Sequence, residues 1–388
     1  MTDTSLHILG GAGNASREHY LNNSAELSSQ ASHILDIDAE SLENLSVSHN
    51  IRATVADVLE PLPLQIANNH SEEHLALIAT PMKAGPLKRT LEAGFQSVII
   101  DKPIANSKAE AIEVETLLEA YPNAKVCLLE SYCVKSIPLF YLSGALEAND
   151  PRVSWIAQEG KERVDTTLHN SLRPTLGSIT GMSISVLEGG AWGFPDLESI
   201  PYLLSNPETG GMLRCLFPHA MHPLLSSNII DPNSVLIEDV ELFSLHRSKS
   251  NPKTFEHKWY PTAGDELEAI ALIRLSADLG ERRIPISVTV GKHWGDHHEG
   301  NWRTHIIGTR GELDFCTMKG KDLVLRDFDN SKETVLRLND CPYKLSLREA
   351  KMYLAGEIPG DGNIENGLIV SKMISDLREL YETKLPNG

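Results

Sequence analysis

Basic residues and long apolar runs are scarce in this sequence. Lys and Arg together number 35 against 53 Asp and Glu, so the 388 residues carry a formal net charge of −18. Because a basic face is needed to bind nucleic acid or an anionic membrane, this balance argues against both partners. No apolar run approaches the roughly 18 residues that span a bilayer. The start, MTDTSLHILGG, lacks the pattern of a signal peptide.

Cysteine is also scarce, and its spacing shows no pairing pattern. The cysteines are odd in number and form no CxxC pair, which argues against a disulfide framework and a zinc site. They are Cys127, Cys133, Cys215, Cys316 and Cys341. We therefore expect a cytoplasmic protein without a bound metal. A metal site that combines His219 and His222 with His297 and His298 is conceivable, but H-x-x-H without a third assigned ligand is a weak pattern.

The length of the chain and a change in its pattern of apolar residues predict two domains. Residues 1–130 alternate short apolar runs with helical patterns, which is typical of a doubly wound parallel sheet in an α/β protein. Farther along, IPISVTV (284–290) alternates apolar and polar residues, as expected of a strand with one wet face. We predict that residues 131–388 form an α+β domain with a large, mostly antiparallel open sheet. Its wet face would pack on a partner or line a cleft.

One stretch of the first half reads as a strand, a helix and a second strand, followed by a charged tripeptide. LALIAT (75–80) and SVII (97–100) are the predicted strands, and Asp101, Lys102 and Pro103 follow the second. Ligands of open α/β sheets bind beyond the carboxyl ends of the strands. Lys102 is therefore a candidate for chemistry, and the alternative is a solvated lysine at a strand end.

The amino-terminal segment predicts a dinucleotide site. Gly11, Gly13 and Ser16 fit G-x-G-x-x-[small] between a predicted strand and a helix, where glycines allow a tight turn and close approach of a pyrophosphate. Asp36 lies at the end of the next predicted strand, the expected position of the acid that binds the adenosine ribose. A carboxylate there repels a 2′-phosphate, so we expect NAD rather than NADP. The alternative is that Asp36 and Asp38 only cap the following helix.

Taken together, these segments resemble the Gfo/Idh/MocA oxidoreductases, the family named for glucose–fructose oxidoreductase, inositol dehydrogenase and the rhizopine protein. Five motifs match in order along nearly the whole chain: GAGNASREH, Thr80-Pro81, Asp101-Lys102-Pro103, NPETGGMLRCLFPHAMH (206–222) and IIGTRGELDF (306–315). The resemblance implies a Rossmann domain over 1–130 that binds NAD. It also implies a second domain over 131–388 that binds substrate and forms a homodimer or homotetramer.

The resemblance further implies which residues form the site. The expected cofactor-binding residues are Gly11, Gly13, Asn14, Ala15, Asp36, Thr80, Pro81, Asp101 and Lys102. The expected substrate-binding residues are Lys102, Glu130, Lys135, Trp192, Cys215, His219 and His222. The loop HWGDHHEGNW (293–302), rich in His and Trp, is a further candidate wall for the substrate.

The activity implied is hydride transfer between nicotinamide and a carbinol or carbonyl carbon of a sugar, a cyclitol or a related polar metabolite. A hydroxyl gives up hydride readily only when a base removes its proton. Lys102 is the expected main catalytic residue, because burial and the positive nicotinamide would destabilise its ammonium. His219 is the expected proton partner. The alternatives are that Lys102 only attracts the substrate electrostatically and that His219 is structural.

The motif around His219 departs from the family pattern. The aspartate expected four positions earlier is Cys215, Phe217 replaces a glycine, and His222 replaces an acid. Because residues i and i+4 share a helix face, another group must orient His219, or His219 only binds substrate. Two other functions therefore stay open. One is an NAD-binding sensor or regulator without turnover; the other is an enzyme that uses tightly bound NAD transiently for elimination, epimerisation or cyclisation.

Overall fold

The computed structural model of the chain describes residues 5–10, 19–27, 33–49, 51–62, 74–188, 211–247, 255–258, 267–280, 282–291, 301–316 and 322–384. The chain divides into two compact units. The first comprises Met1–Val134 and Asp340–Ser371, and the second comprises Lys135–Asn339 and Lys372–Gly388. The predicted boundary at 130/131 thus lies close to the first division. The segment 340–371, which the sequence analysis assigns to the second domain, packs in the first unit.

The helices are numbered in chain order over the described residues. They are α1 (Ala39–His49), α2 (Ala84–Glu92), α3 (Lys108–Ala120), α4 (Ser131–Lys135), α5 (Ile137–Ser143), α6 (Leu172–Leu176), α7 (Met212–Leu225), α8 (Pro342–Ala355) and α9 (Ile364–Lys384). Short 3-10 helices cover Leu21–Glu26, Pro151–Trp155, Thr166–Leu168 and Pro232–Ser234. Within the described ranges, no helix is long and apolar enough to cross a membrane.

The first unit is built on a parallel sheet. Its described strands are β1 (Ser5–Leu9), β2 (His33–Asp36), β3 (Arg52–Val55), β4 (His74–Ile78), β5 (Ser97–Asp101) and β6 (Lys125–Leu129). They pair in parallel in the order β3-β2-β1-β4-β5-β6. This is the strand order of the doubly wound dinucleotide-binding fold, and it reverses direction between β1 and β4. The predicted fold of this half is confirmed.

Helices cover both faces of the parallel sheet because neighbouring strand residues point to opposite sides. Apolar residues of α2 and α3, among them Leu87 and Val114, pack with Ile100 on one face. On the other face, Leu42 of α1 and Leu347 of α8 pack with strand residues. Helix α8 thus packs in the first unit and shares the cover of this face with α1.

The second unit is built on a mixed sheet of ten described strands. They are β7 (Ile156–Gln158), β8 (Ile179–Leu187), β9 (Leu236–Arg247), β10 (Phe255–Lys258), β11 (Leu267–Leu279), β12 (Arg282–Gly291), β13 (Asn301–Gly308), β14 (Gly311–Cys316), β15 (Asp322–Asp327) and β16 (Lys332–Leu338). The order is β10-β9-β11-β12-β8-β13-β14-β15-β16-β7, and β8 and β12 form the one parallel pair among these strands. The prediction of a mostly antiparallel sheet is confirmed.

The alternation that predicted this sheet appears in β12. Ile284 and Ile286 are buried, whereas Pro285 and Ser287, which alternate with them, are exposed. Helix α7 packs against β8, β11 and β12. One face of the sheet is therefore covered by a helix that carries several of the predicted site residues.

Candidate functional site

Many of the predicted site residues of the first unit lie at one edge of its sheet. Because all six strands are parallel, their carboxyl ends meet at the same edge. Asp36 ends β2 and Asp101 ends β5. Thr80 lies two residues after β4, and Glu130 directly follows β6. The structure thus gathers at this edge the residues Asp36, Thr80, Pro81, Asp101, Lys102 and Glu130. The predicted residues Gly11, Gly13, Asn14, Ala15 and Trp192 lie outside the described residues.

Gly10 and Thr80 make the close contact between β1 and β4 where the strand order reverses. Gly10 has a φ of +79°, and a Cβ at this position would lie 2.7 Å from Cγ2 of Thr80. Its amide donates to the carbonyl of Leu35 at 2.8 Å, which ties the turn to β2. Only glycine fits this conformation and this approach without strain. Gly10 is not among the predicted site residues, although this glycine directly precedes the glycines of the predicted turn.

Asp36 and Asp38 play different structural roles. Asp38 accepts a hydrogen bond from the amide of Ser41 at 3.0 Å and so satisfies the amino terminus of α1. Asp36 accepts from the amide of Asp38 at 3.1 Å and is half-buried at the end of β2. Of the two acids in the capping alternative, Asp38 is therefore the one that caps the helix.

Tyr20 holds the carboxylate that precedes Lys102. Its hydroxyl donates to Oδ1 of Asp101 with an oxygen–oxygen distance of 2.5 Å. Burial, followed by the charge and hydrogen bond of Asp101, raises the pKa of Tyr20 well above its ordinary value, so the phenol stays protonated as the donor. Asp101 and Lys102 are half-buried, and the peptide bond from Lys102 to Pro103 is cis. No local sequence signal links Tyr20 to Asp101, and the sequence analysis missed it.

Glu110 of α3 ties together the two loops that follow β4 and β5. Its Oε1 accepts from the amides of Lys83 at 2.6 Å and Ala84 at 3.0 Å, and its Oε2 accepts from the amide of Asn106 at 2.7 Å. The first two amides belong to the start of α2, where unsatisfied donors favour a carboxylate. Ser107 also accepts from the amide of Glu110 at 3.1 Å. Glu110 therefore fixes the backbone on both sides of the edge that carries Lys102.

Lys83 is a fully buried lysine at this edge, and the sequence analysis missed it. Its side chain is 2% exposed. Burial lowers its pKa to about 8; Asp101 and Glu110 oppose this shift, and Lys102 adds to it. The ammonium of Lys83 therefore lies in the electrostatic reach of both Asp101 and Lys102.

Glu130 is also buried, at 2% exposure. Its Oε1 accepts from the amide of Tyr132 at 2.9 Å, which places the carboxylate at the start of α4. It adds a raising influence on the pKa of Tyr20, so it lies near the pair of Tyr20 and Asp101. The described residues contain no group of His, Cys, Asp and Glu that could hold a metal ion.

In the second unit, α7 presents one half-exposed face. Gly211, with a φ of +86°, precedes its first turn. Cys215 and His219, four residues apart, are half-exposed, whereas Leu216 and Phe217 are fully buried. This agrees with the predicted sharing of one face by Cys215 and His219. His222 is 1% exposed, so its ring is part of the interior of the unit.

Trp302 joins two of the predicted substrate residues. The ring of His219 lies 5.3 Å from the Trp302 ring, centroid to centroid. Nζ of Lys135 lies 5.5 Å from the centroid of the same indole, within the range of a cation–π contact. Trp302 is 3% exposed at the start of β13 and closes the loop that the sequence analysis named as a substrate wall. The residues 293–300 of that loop lie outside the described residues, as do His297 and His298.

No protein-family model matches the chain, and no curated protein matches it in sequence. Solved structures do match over nearly their full length. UDP-N-acetylglucosamine 3-dehydrogenase GnnA from Acidithiobacillus ferrooxidans is 12% identical, with 99% of each chain covered and a TM-score of 0.63. The 3-ketoreductase KijD10 from Actinomadura kijaniata, in complex with NADP and TDP-benzene, is 13% identical, with 98% of each chain covered and a TM-score of 0.65.

A levoglucosan dehydrogenase in complex with NADH and levoglucosan is 12% identical, with 98% of each chain covered and a TM-score of 0.66. The chain has the fold of these enzymes. The neighbours are oxidoreductases, and two of them hold a nicotinamide cofactor, NADH in one and NADP in the other. At these identities the likeness concerns the fold, and the chemistry of this chain has to be argued from its own residues.

Proposed function

We propose that the protein is an NAD-dependent oxidoreductase of the Gfo/Idh/MocA type. It would transfer hydride between nicotinamide and a carbinol or carbonyl carbon of a sugar, a cyclitol or a related polar metabolite. The observation that carries this proposal is the arrangement of residues at the carboxyl ends of β1, β4 and β5. Gly10 allows a close contact with Thr80 there, and Lys102 follows the neighbouring strand β5. Ligands of doubly wound sheets bind at this reversal of strand order.

The residues of this edge fit a dinucleotide. A Cβ on Gly10 would clash with Thr80, so the glycine lets the end of β1 lie close to the residues that follow β4, directly before the predicted turn. Asp36 stands half-buried at the end of β2, where an acid binds ribose hydroxyls and repels a 2′-phosphate. Residues that would hold the cofactor are Gly11, Gly13, Asn14, Ala15, Asp36, Thr80 and Pro81. We infer NAD over NADP from Asp36.

When bound, NAD supplies the hydride acceptor at nicotinamide C4. Lys102 is the main catalytic residue in this proposal: its amine takes the hydroxyl proton of the substrate, or its ammonium returns it in the reverse direction. Asp101, held by Tyr20, fixes the chain just before Lys102. His219 is the proposed proton partner, and Trp302 limits the orientations of its ring. Lys135 and Trp302 offer a cation and an indole to a polar substrate.

A sensor without turnover is the second candidate, and Cys215 is the observation that favours it. Cys215 stands half-exposed one helical turn before His219, where the family pattern has an aspartate, so the imidazole has no carboxylate at this position. Micromolar NAD binding without turnover on a broad panel of sugars and cyclitols would support the sensor. A homodimer or homotetramer is a further proposal that rests on the family resemblance. A cytoplasmic location is also proposed, and it rests on the number and spacing of the cysteines.

The test is titration of the purified protein with NAD and NADP by isothermal calorimetry. We expect NAD to bind more tightly, and Asp36→Ala to weaken NAD binding at least about tenfold, equivalent to about 1.4 kcal/mol. Asp38→Ala is the matched control: it removes a helix cap, costs about 1 kcal/mol of stability and leaves NAD affinity unchanged. Lys102→Ala should lose turnover.

Other outcomes separate the alternatives. NAD that stays on the protein through purification, together with product formation without net NADH, would indicate transient use of the cofactor in elimination, epimerisation or cyclisation. Absence of binding for both dinucleotides would overturn the proposal.

A further inference from the structure

Lys83 is a buried cation that the proposed reaction does not use. We propose that Lys83 binds an oxyanion of the substrate, a carboxylate or a phosphate, beside Lys102. This inference rests on the proposed function for the identity of the site, and it adds the substrate class: an acidic sugar, cyclitol or related metabolite rather than a neutral one.

The position of Lys83 is fixed by its backbone. The residue precedes the first turn of α2 and follows β4 by a short loop, and its amide donates to Glu110 at 2.6 Å. Strand β4 pairs with β5, which ends at Asp101. Lys83 and Lys102 therefore follow the carboxyl ends of two neighbouring strands, at the edge where substrates of this fold bind.

In the part of the chain that the structure describes, no hydrogen bond or ion pair reaches the ammonium of Lys83. Glu110 directs its two oxygens to three backbone amides, and Asp101 accepts from Tyr20. A buried ammonium without a contacting anion is costly, and its lowered pKa reflects that cost. An oxyanion of a ligand would supply the missing contact and raise the pKa again.

The overall charge of the chain makes a local cation necessary for such a ligand. A net charge of −18 repels anions at long range. Two lysines at one edge oppose that repulsion at short range, where Coulomb interactions in a buried site are strong. A neutral sugar would gain nothing from a second ammonium, so the pair of Lys83 and Lys102 favours an acidic substrate.

The experiment compares three ligands that share one six-carbon chain: sorbitol, gluconate and sorbitol 6-phosphate. Each is titrated by isothermal calorimetry at pH 7 into the full chain, with and without saturating NAD. We expect at least one acid to bind about tenfold more tightly than sorbitol, about 1.4 kcal/mol. Whichever of gluconate and sorbitol 6-phosphate binds more tightly identifies the oxyanion that Lys83 binds as a carboxylate or a phosphate. The preference should weaken between pH 7 and pH 9.5, because the ammonium of Lys83 loses its proton.

Three variants assign the preference to Lys83. Lys83→Met should abolish it, and Lys83→Arg should retain most of it. Lys88→Met is the matched control on the exposed face of α2 and should behave as wild type. Equal binding of sorbitol and both acids by the wild type would overturn the proposal. So would a Lys83→Met variant that is less stable but keeps the preference, since Lys83 would then only balance the charge of Asp101.

The two proposals fail in different ways. If NAD does not bind to the wild type, the oxidoreductase proposal fails. The comparison of sorbitol with the two acids in NAD-free protein still tests whether Lys83 binds an oxyanion. If NAD binds and the acids show no preference, the oxidoreductase proposal stands and the anion site is excluded.

Discussion

Tyr20 and Asp101, 81 positions apart, share a hydrogen bond of 2.5 Å at the carboxyl edge of the parallel sheet. The bond joins the residue before the 3-10 helix Leu21–Glu26 to the end of β5. The raised pKa of Tyr20 keeps its hydroxyl protonated at neutral pH, so Tyr20 remains the donor. The carboxylate next to Lys102 is thus oriented by a phenol that keeps its proton.

Tyr20→Phe removes this donor and keeps the ring. We expect the free energy of unfolding to fall by about 1.5–3 kcal/mol, the range for hydrogen bonds to charged groups. Urea denaturation of the single variants and of the double variant with Asp101→Asn gives the coupling energy between the two residues. Tyr121→Phe, at the half-buried end of α3, should change stability by less than about 0.5 kcal/mol. A coupling energy near zero would contradict the prediction.

Gly10→Ala tests the close approach between β1 and β4. The new Cβ would meet Thr80 at 2.7 Å in addition to the strain of a φ of +79°. Gly160→Ala is the matched control, because Gly160 has a φ of +71° but nothing within 4 Å of its virtual Cβ. The control should cost about 1 kcal/mol, the penalty of a left-handed conformation. Gly10→Ala should lower the free energy of unfolding clearly more than this, and it should weaken NAD binding. An equal loss for both variants in urea denaturation would contradict the prediction, because the contact with Thr80 would then relax freely.

The sequence predicted the elements of this edge better than the contacts across it. Short apolar runs identified β4 and β5, and the position of Asp101 and Lys102 at the end of β5 follows from where the run stops. Asp36 was assigned by its distance from the glycine turn, and the structure places it at the end of β2. Such features depend on local pattern, which the sequence displays directly.

The residues that the sequence analysis missed act through tertiary contacts. Tyr20 has no local feature that points to Asp101, and Lys83 resembles an ordinary polar residue before a helix. Likewise, the helical pattern of α8 does not reveal that Leu347 packs against the first sheet rather than the second. Pairings between distant segments leave no periodic signal in a single sequence and become visible only in the folded chain.

Glu110→Gln tests how the two loops are held. The carboxylate accepts from three amides, those of Lys83, Ala84 and Asn106. A neutral amide group has only one acceptor oxygen and loses the charge that favours a helix amino terminus. We expect a loss of about 2–3 kcal/mol in the free energy of unfolding. Glu113→Gln, exposed on the same helix, is the control and should be nearly neutral; similar values for both variants would contradict the prediction.

Acid should destabilise the first unit through His7, which lies on β1 at the centre of three histidines. His7 is 5% exposed, and its Nε2 lies 3.0 Å from Nδ1 of His74. His33 stands directly beside it in register on β2. Burial, followed by the neighbouring His33 and His74, lowers the pKa of His7 to about 4.

The sign of the effect follows from the two pKa values of His7. Between its ordinary value of 6.5 and about 4, the unfolded chain binds a proton that the folded chain excludes, so stability falls as the pH falls through this window. At about 1.4 kcal/mol per pKa unit, His7 accounts for a loss of about 3 kcal/mol. His7→Leu should flatten the dependence of the free energy of unfolding on pH between 6.5 and 4. The ring of Phe95 lies 5.4 Å from the ring of His7, centroid to centroid. Phe95→Leu removes packing but no titrating group, so it should lower the free energy of unfolding equally across this pH window. An unchanged slope in His7→Leu would assign the acid sensitivity to other groups.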